Sequence, residues 1–373
     1  MDRPQQILPR SAPGQQQNRP ARKRLAPTLV KTDAAAGGST TTTGQAPAAA
    51  VPSYSVCSND AITLRFVSKV EDVVDDVAAS AAAPESFHPT YTHQIFGDAQ
   101  RILGYNGLHA EILLTSGSMR AFVRSTWEER RADGACDINP AVTLSRKLPD
   151  ARPCSSLDEF RAAVAAENAP GQTAFNPPGK LVCMLLSLRI DFWLLFTLLL
   201  LLLDTEECSE DKDCAYEMYF DDISDGNPDG NGRLLLKRIQ ISVLFFIDGS
   251  SYIHTSELGW RGFFLFRHNK RTNNFTLLGF CTAYEFWHAP DKIRFRISQI
   301  LVFPPYQRRG HGSLFSHSIS FLSFFGITLY YTVRFVDAIY RFARENDQVY
   351  DVTVEDPDDD FQFVQPIFIY SLS

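Results

Sequence analysis

Two short stretches carry residue types that could do chemistry. Gln307-Arg308-Arg309-Gly310-His311-Gly312 follows the apolar run Ser298–Phe303 and stands where a helix should begin. A glycine loop between a strand and a helix lets successive backbone N–H groups converge on an anion at the helix N-terminus. Glycine serves there because a Cβ would block close approach and because positive φ is open to it. Arg308 and Arg309 add positive charge, so the loop suits a pyrophosphate; an ordinary turn is the competing reading of the same string. The second stretch ends in Glu355, which closes the strand-like run Val349–Val354 and precedes Asp356-Pro357. That Asp-Pro chain break could hold the Glu355 carboxylate at a strand end. The competing reading makes it one more acid in the solvated run from Glu355 to Asp360. The eight histidines form no H-x-x-x-H pair and the seven cysteines no C-x-x-C, so no metal site is expected.

The elements that must position these residues follow from periodicity. Ile62, Leu64 and Phe66 alternate onto one face of a strand, and Glu111 to Trp127 reads as a hairpin turning at Ser116-Gly117-Ser118. Ser156 with Glu159 makes a capping box, followed by the helical stripe Leu157, Phe160 and Val164. Leu234–Ile247 predicts an apolar helix stopped at Asp248-Gly249. Three antiparallel strands come next, Gly262–Arg267, Phe275–Trp287 and Arg294–Phe303, with turns at Asn269–Asn274 and at Ala289 to Lys292.

Composition bounds the rest. A chain of 373 residues with 45% hydrophobic and 12% aromatic content is globular, not a coiled coil or wholly disordered. Its 36 basic and 43 acidic residues leave a net charge of −7, against the balance expected of a protein living on nucleic-acid phosphates. Residues 1–56 are low in complexity and read as a disordered tail. Within it, Arg19-Pro20-Ala21-Arg22-Lys23-Arg24 reads either as a nuclear-import patch or as solvated charge. No secretory signal is expected at the N-terminus, and scattered cysteines point to a reducing compartment. Leu181–Leu203 is long enough to cross a bilayer, but Arg189 and Asp191 interrupt it, which favours a buried segment.

Placed after a strand of an antiparallel meander, the glycine loop resembles the acyl-CoA loop of the GNAT acetyltransferase superfamily. Longer motifs narrow the resemblance. Phe87 to Asp98 (FHPTYTHQIFGD), Gly104-Tyr105-Asn106-Gly107-Leu108, Pro290-Asp291-Lys292, Arg296-Ile297-Ser298-Gln299 and Asp351 to Pro357 are similar to the type B histone acetyltransferase catalytic subunit family. The similarity covers roughly residues 57–135 and 216–365. It implies an α/β (α+β) fold, with a mixed, largely antiparallel GNAT sheet at 169–365 behind a smaller α/β domain at 57–168. It also implies an enzyme that moves acetyl from acetyl-CoA to lysines of new histone tails, chiefly histone H-four, with a WD-repeat histone chaperone as partner in nucleus and cytoplasm. On this resemblance the general base is Glu355. The co-substrate falls on Ile300, Leu301 and Val302, on Gln307, Arg308, Arg309, Gly310, His311, Gly312 and Ser313, and on Asp358. The histone tail falls on Asp98, Ala99 and Gln100 and on Tyr284, Glu285 and Phe286. The alternatives are an inactive or membrane-tethered GNAT-like binding protein and a small-amine acetyltransferase.

Three apolar stretches depart from the family pattern: 183–207, 315–336 and the ending 366–373. They read as translated introns, with genuine insertions as the competing reading. Beyond the second, Asp337–Glu345 resumes a helix with Ile339, Phe342 and Ala343 on one face. The loop itself is open to test. Gly310→Val puts a branched side chain where the pyrophosphate would sit, so it should abolish acetyl-CoA binding in calorimetry; undiminished affinity would remove the loop from the site.

Overall fold

The alternating and apolar runs fold into strands, and the one long apolar-faced run into a helix. The computed structural model describes residues 54–131, 139–148, 153–169, 175–185, 213–227, 230–307, 336 and 338–355. All lie in the unit Val51–Ser373. Residues 1–53 of the tail, Arg308–Ser313, Asp358, the ending 366–373 and most of the two apolar stretches lie outside them; the last residues of the expected tail are ordered instead, because Ser55–Cys57 pairs as a strand with Arg101–Leu103.

In the first half the strands are β1 (Ser55–Cys57), β2 (Ile62–Val67), β3 (Arg101–Leu103), β4 (Tyr105–Asn106), β5 (His109–Thr115), β6 (Ala121–Thr126) and β7 (Glu129–Arg130). The second half adds β8 (Lys180–Leu185), β9 (Cys214–Asp222), β10 (Trp260–Asn269), β11 (Asn274–His288), β12 (Lys292–Val302) and β13 (Val349–Val354). A three-stranded sheet has the order β2-β5-β6, and a six-stranded sheet the order β13-β12-β11-β10-β9-β8. Among the described residues only β2 with β5 and β12 with β13 pair in parallel; the remaining pairs are antiparallel. The mixed, largely antiparallel α/β architecture is therefore the one expected.

The hairpin of β5 and β6 turns at Ser116–Ser118 as read. Its turn is held from outside by Glu167, at the end of the helix Leu157–Glu167. That carboxylate accepts from the Gly117 amide at 3.1 Å and the Ser118 amide at 2.9 Å. The helix begins with Ser156 Oγ accepting from the Glu159 amide at 3.1 Å. The reciprocal bond differs from a standard capping box: Glu159 reaches the Ser155 amide at 2.8 Å, one residue further back.

The helix Asn231–Phe246 turns Leu235, Leu236, Ile239, Val243 and Phe245 inside. Burial along this helix is continuous only over Ile239–Phe245; toward its start Arg233, Lys237 and Arg238 stay half-exposed. Asp221, at the end of β9, accepts from the Gly232 amide at 2.8 Å and so caps it. The helix stops at Phe246, and Gly249 takes the left-handed turn that follows, at φ 69°.

One hydrophobic cluster runs from Ile62 and Leu64 through this helix to Phe295 and Ile339. Phe66 joins the halves: its ring meets Phe303 edge-on at 5.1 Å and stacks on Tyr306 at 5.7 Å. The stretch 338–345 is helical. Ile339 is fully buried, and Phe342 packs on Phe220 at 4.6 Å and Phe263 at 5.4 Å, the face expected of that helix. Val336, at the end of the second apolar stretch, is buried with Tyr340 against Ile300, Val352 and Val354. At the start of the first, Cys183, Met184 and Leu185 pair with Met218, Glu217 and Tyr216 as the end of β8. Among the described residues no helix is long and apolar enough to cross a membrane.

Glu111, fully buried on β5, organises the polar side of the small sheet. Arg124 donates to its Oε2 at 2.7 Å, and the Ser80 hydroxyl, itself accepting from Arg65 at 2.9 Å, donates to its Oε1. Glu111→Ala would leave two largely buried guanidinium groups without their counter-charge. It should cost about 3–5 kcal/mol in denaturant unfolding, whereas a loss under about 1 kcal/mol would mean that water replaces the carboxylate.

Candidate active site

β12 and β13 run in parallel register from Ile293 opposite Val349 to Ile297 opposite Val354. The Glu355 amide then donates to the Ile297 carbonyl at 2.8 Å. One residue further, β12 bulges. Against β11, Ala283 faces Ile297 and Thr282 faces Gln299, so Ser298 is the additional residue. Its hydroxyl donates to Glu355 Oε2 at 2.7 Å. Past this point the outer edge of β12, from Ser298 to Leu301, carries no strand among the described residues. On the inner side β11 approaches closely: a Cβ on Gly279 would lie 2.5 Å from the Leu301 carbonyl oxygen, so only glycine fits there.

Glu355 and Ser298 share an open groove of about 190 Å³ with Glu257, Trp260, Tyr284, Phe286 and Arg296. Its wall is aromatic. Trp260 meets Tyr284 edge-on at 5.0 Å, Tyr284 lies 4.7 Å from Phe286, and the Arg296 guanidinium sits 4.7 Å from the centre of the Phe286 ring. Trp260 Nε1 is buried and has no hydrogen-bond partner among the described residues, which leaves one donor beside the groove unspent.

The groove thus brings Glu355 together with Tyr284 and Phe286. Glu285 lies between them in sequence but does not line it, since successive strand residues point to opposite faces. It pairs with Arg261 at 2.7 Å, and Arg261 also reaches Asp222 at 3.1 Å. Burial pushes the Glu285 carboxyl above the usual carboxylate range, against the opposing pull of Arg261. Asp98 and Ala99 are exposed on the loop after the short helix His93–Phe96 and do not line the groove. Gln100 spends its side chain on that loop, accepting from the Thr92 amide at 2.9 Å. Ile300, Leu301 and Val302 lie on β12 as expected, and Gln307 ends the helical turn Pro304–Gln307.

Glu257, Trp260, Arg296 and Ser298 were not singled out from the sequence as site residues. For Arg296 a signal existed: it alternates with the apolar Phe295 and Ile297, which the structure buries, and so belongs to the opposite face of the strand. The bulge that swings Ser298 beside Glu355 had none. Among the described residues no group of three or more His, Cys, Asp or Glu is arranged to hold a metal ion.

Residues 54–248 match the family described as Histone acetyl transferase HAT1 N-terminus. The histone acetyltransferase type B catalytic subunit of Dictyostelium discoideum is 28% identical over 329 residues, covering 83% of this chain and 59% of that protein. The subunit of the same description from Mycosarcoma maydis is 30% identical over 285 residues, covering 74% of this chain and 57% of the relative. The chain therefore spans somewhat more than half the length of these two curated relatives. Among solved structures, an aminoglycoside acetyltransferase from an uncultured soil metagenomic sample, in complex with sisomicin, is 14% identical. It covers 42% of this chain and 88% of that one at a TM-score of 0.26, too low to carry an argument. With more than half of its residues inside the family match, the chain belongs to the family of the histone acetyl transferase HAT1 N-terminus.

Proposed function

We propose that the chain is a histone acetyltransferase that moves acetyl from acetyl-CoA to lysine side chains of histone tails, chiefly that of histone H-four, with Glu355 as general base. The observation that carries this reading is the carboxylate of Glu355, fixed by Ser298 in a groove walled by Tyr284 and Phe286. The family and the relatives' printed descriptions support it.

The described residues fit the co-substrate. An edge of β12 without a strand from Ser298 to Leu301 offers backbone groups to an extended, amide-bearing ligand. Val302 continues that strand toward Gln307, and Gln307–Ser313 with Asp358 keep their assignment by resemblance. Acetyl-CoA, when bound, supplies the acyl group as a thioester.

The protein's own part is to seat a lysine and take its proton. A lysine ammonium with a pKa of about 10.4 is no nucleophile near neutral pH. Ser298 occupies Glu355 Oε2 and leaves Oε1 to receive the proton. Tyr284 and Phe286 can flank the apolar stem of the lysine while its head reaches the carboxylate. Asp98 and Ala99, exposed at a distance in sequence from the groove, would meet more remote parts of a basic tail. A WD-repeat histone chaperone as partner, and action in both cytoplasm and nucleus, go with this reading.

Glu355→Gln keeps the shape and the Ser298 contact but cannot accept the proton. Acetyl-CoA affinity should survive while turnover on a histone-tail peptide falls about 10²–10⁴-fold at neutral pH. Raising the pH should recover part of the loss, because solvent then deprotonates the lysine. Near-normal turnover at neutral pH would sink the assignment.

A further inference from the structure

The groove holds two carboxylates, Glu355 at the end of β13 and Glu257 in the segment before β10. Both favour the ammonium form of any lysine seated between them, which is the unreactive form. Facing them from β12 is one cation, Arg296, and from β11 the Tyr284 hydroxyl completes the titratable lining.

The neighbouring arginines are neutralised. Arg294, one pleat back on β12, makes a bidentate pair with Asp351 at 2.8 Å. Arg261 is shared between Asp222 and Glu285. Arg296 differs. Among the described residues no carboxylate lies within salt-bridge distance of it, and its guanidinium rests on the Phe286 ring. An aromatic face holds a guanidinium in place without cancelling its charge, and arginine does not give up its proton in proteins.

Resting on the acetyltransferase reading, we infer that Arg296 is a positioning residue of an electrostatic kind: its fixed charge disfavours the ammonium of the acceptor lysine, so that the amine gives up its proton at a lower pH, and it keeps Glu355 in the ionised form that can take that proton. In that step one proton leaves the ammonium, one carboxylate becomes a carboxylic acid, and the nitrogen lone pair is freed for attack. Glu355 supplies the acceptor and Arg296 the bias, so the groove binds a basic side chain without trapping it in its charged form.

The test is the pH dependence of kcat for the full chain at saturating acetyl-CoA and lysine peptide, since kcat reports ionisations in the bound complex. With Arg296→Gln the acidic limb should move up by about one pH unit, as expected for loss of one nearby like charge. Turnover should be lowered most at low pH and converge with the wild type at high pH. Arg296→Lys should restore the limb, and Arg296→Met, which keeps the apolar stem, should repeat the Gln result. A peptide carrying S-aminoethylcysteine, whose amine is less basic than that of lysine, should rescue Arg296→Gln more than it stimulates the wild type. Superimposable profiles, a loss equal at every pH, or equal stimulation by the less basic amine would each overturn the inference. Absence of transfer by the wild-type chain would instead remove the acetyltransferase reading on which it rests, and the inference with it.

Discussion

The bond from the Glu355 amide to the Ile297 carbonyl is the constraint on which the groove depends. It is the last contact of a parallel strand pair, and parallel neighbours need a crossover between them. Here the connection from the end of β12 returns through the helical stretch 338–345, whose Ile339 and Phe342 pack into the core. Beyond that bond the outer edge of β12 from Ser298 to Leu301 carries no strand among the described residues, and the bulge on its inner side turns Ser298 to the carboxylate. A slip of one residue would send Glu355 to the other face. The hydrophobic set Val336, Tyr340, Val352 and Val354 resists that slip, because it would have to leave its own cluster.

The first half of the chain reaches the groove through packing. Phe66 of β2 holds Phe303 and Tyr306, the residues that follow β12. At the hairpin turn, Ser116 accepts from the Leu277 amide at 2.8 Å, and the Ser118 carbonyl accepts from Arg238 of the long helix at 2.8 Å. These bonds tie β11 and the buried helix to the small sheet. The strand that would carry the co-substrate is therefore braced from both ends, by Phe66 beyond Val302 and by β13 before Ser298.

Strand and helix identity was legible wherever one physical pattern dominated. Ile62, Leu64 and Phe66, the hairpin at Ser116–Ser118, the three-strand meander and the helix ending at Phe246 follow from period and turn chemistry. Strand ends were less legible: β11 runs to His288 and β10 starts at Trp260, because pairing with neighbours extends strands past their apolar centres. Glu355, Tyr284 and Phe286 were named from the sequence by resemblance, yet that they face one groove is a matter of register. Ser298 was legible only as part of a motif, since a bulge depends on two strands failing to match, and no single strand records that.

The triplet Tyr284-Glu285-Phe286 shows why contiguous motifs divide once folded. A strand sends alternate side chains to opposite faces, so Tyr284 and Phe286 line the groove while Glu285 turns to Arg261. The acids that a basic side chain would meet in the groove then come from elsewhere in the chain, Glu257 and Glu355. Arg261 must hold Glu285 and Asp222 together, since two half-buried acids so close would otherwise repel. That pairing removes Arg261 and Glu285 from the electrostatics of the groove, as Asp351 removes Arg294. Among the described residues, what remains facing the reacting position is two carboxylates and the unneutralised charge of Arg296, a balance set by which arginines found partners.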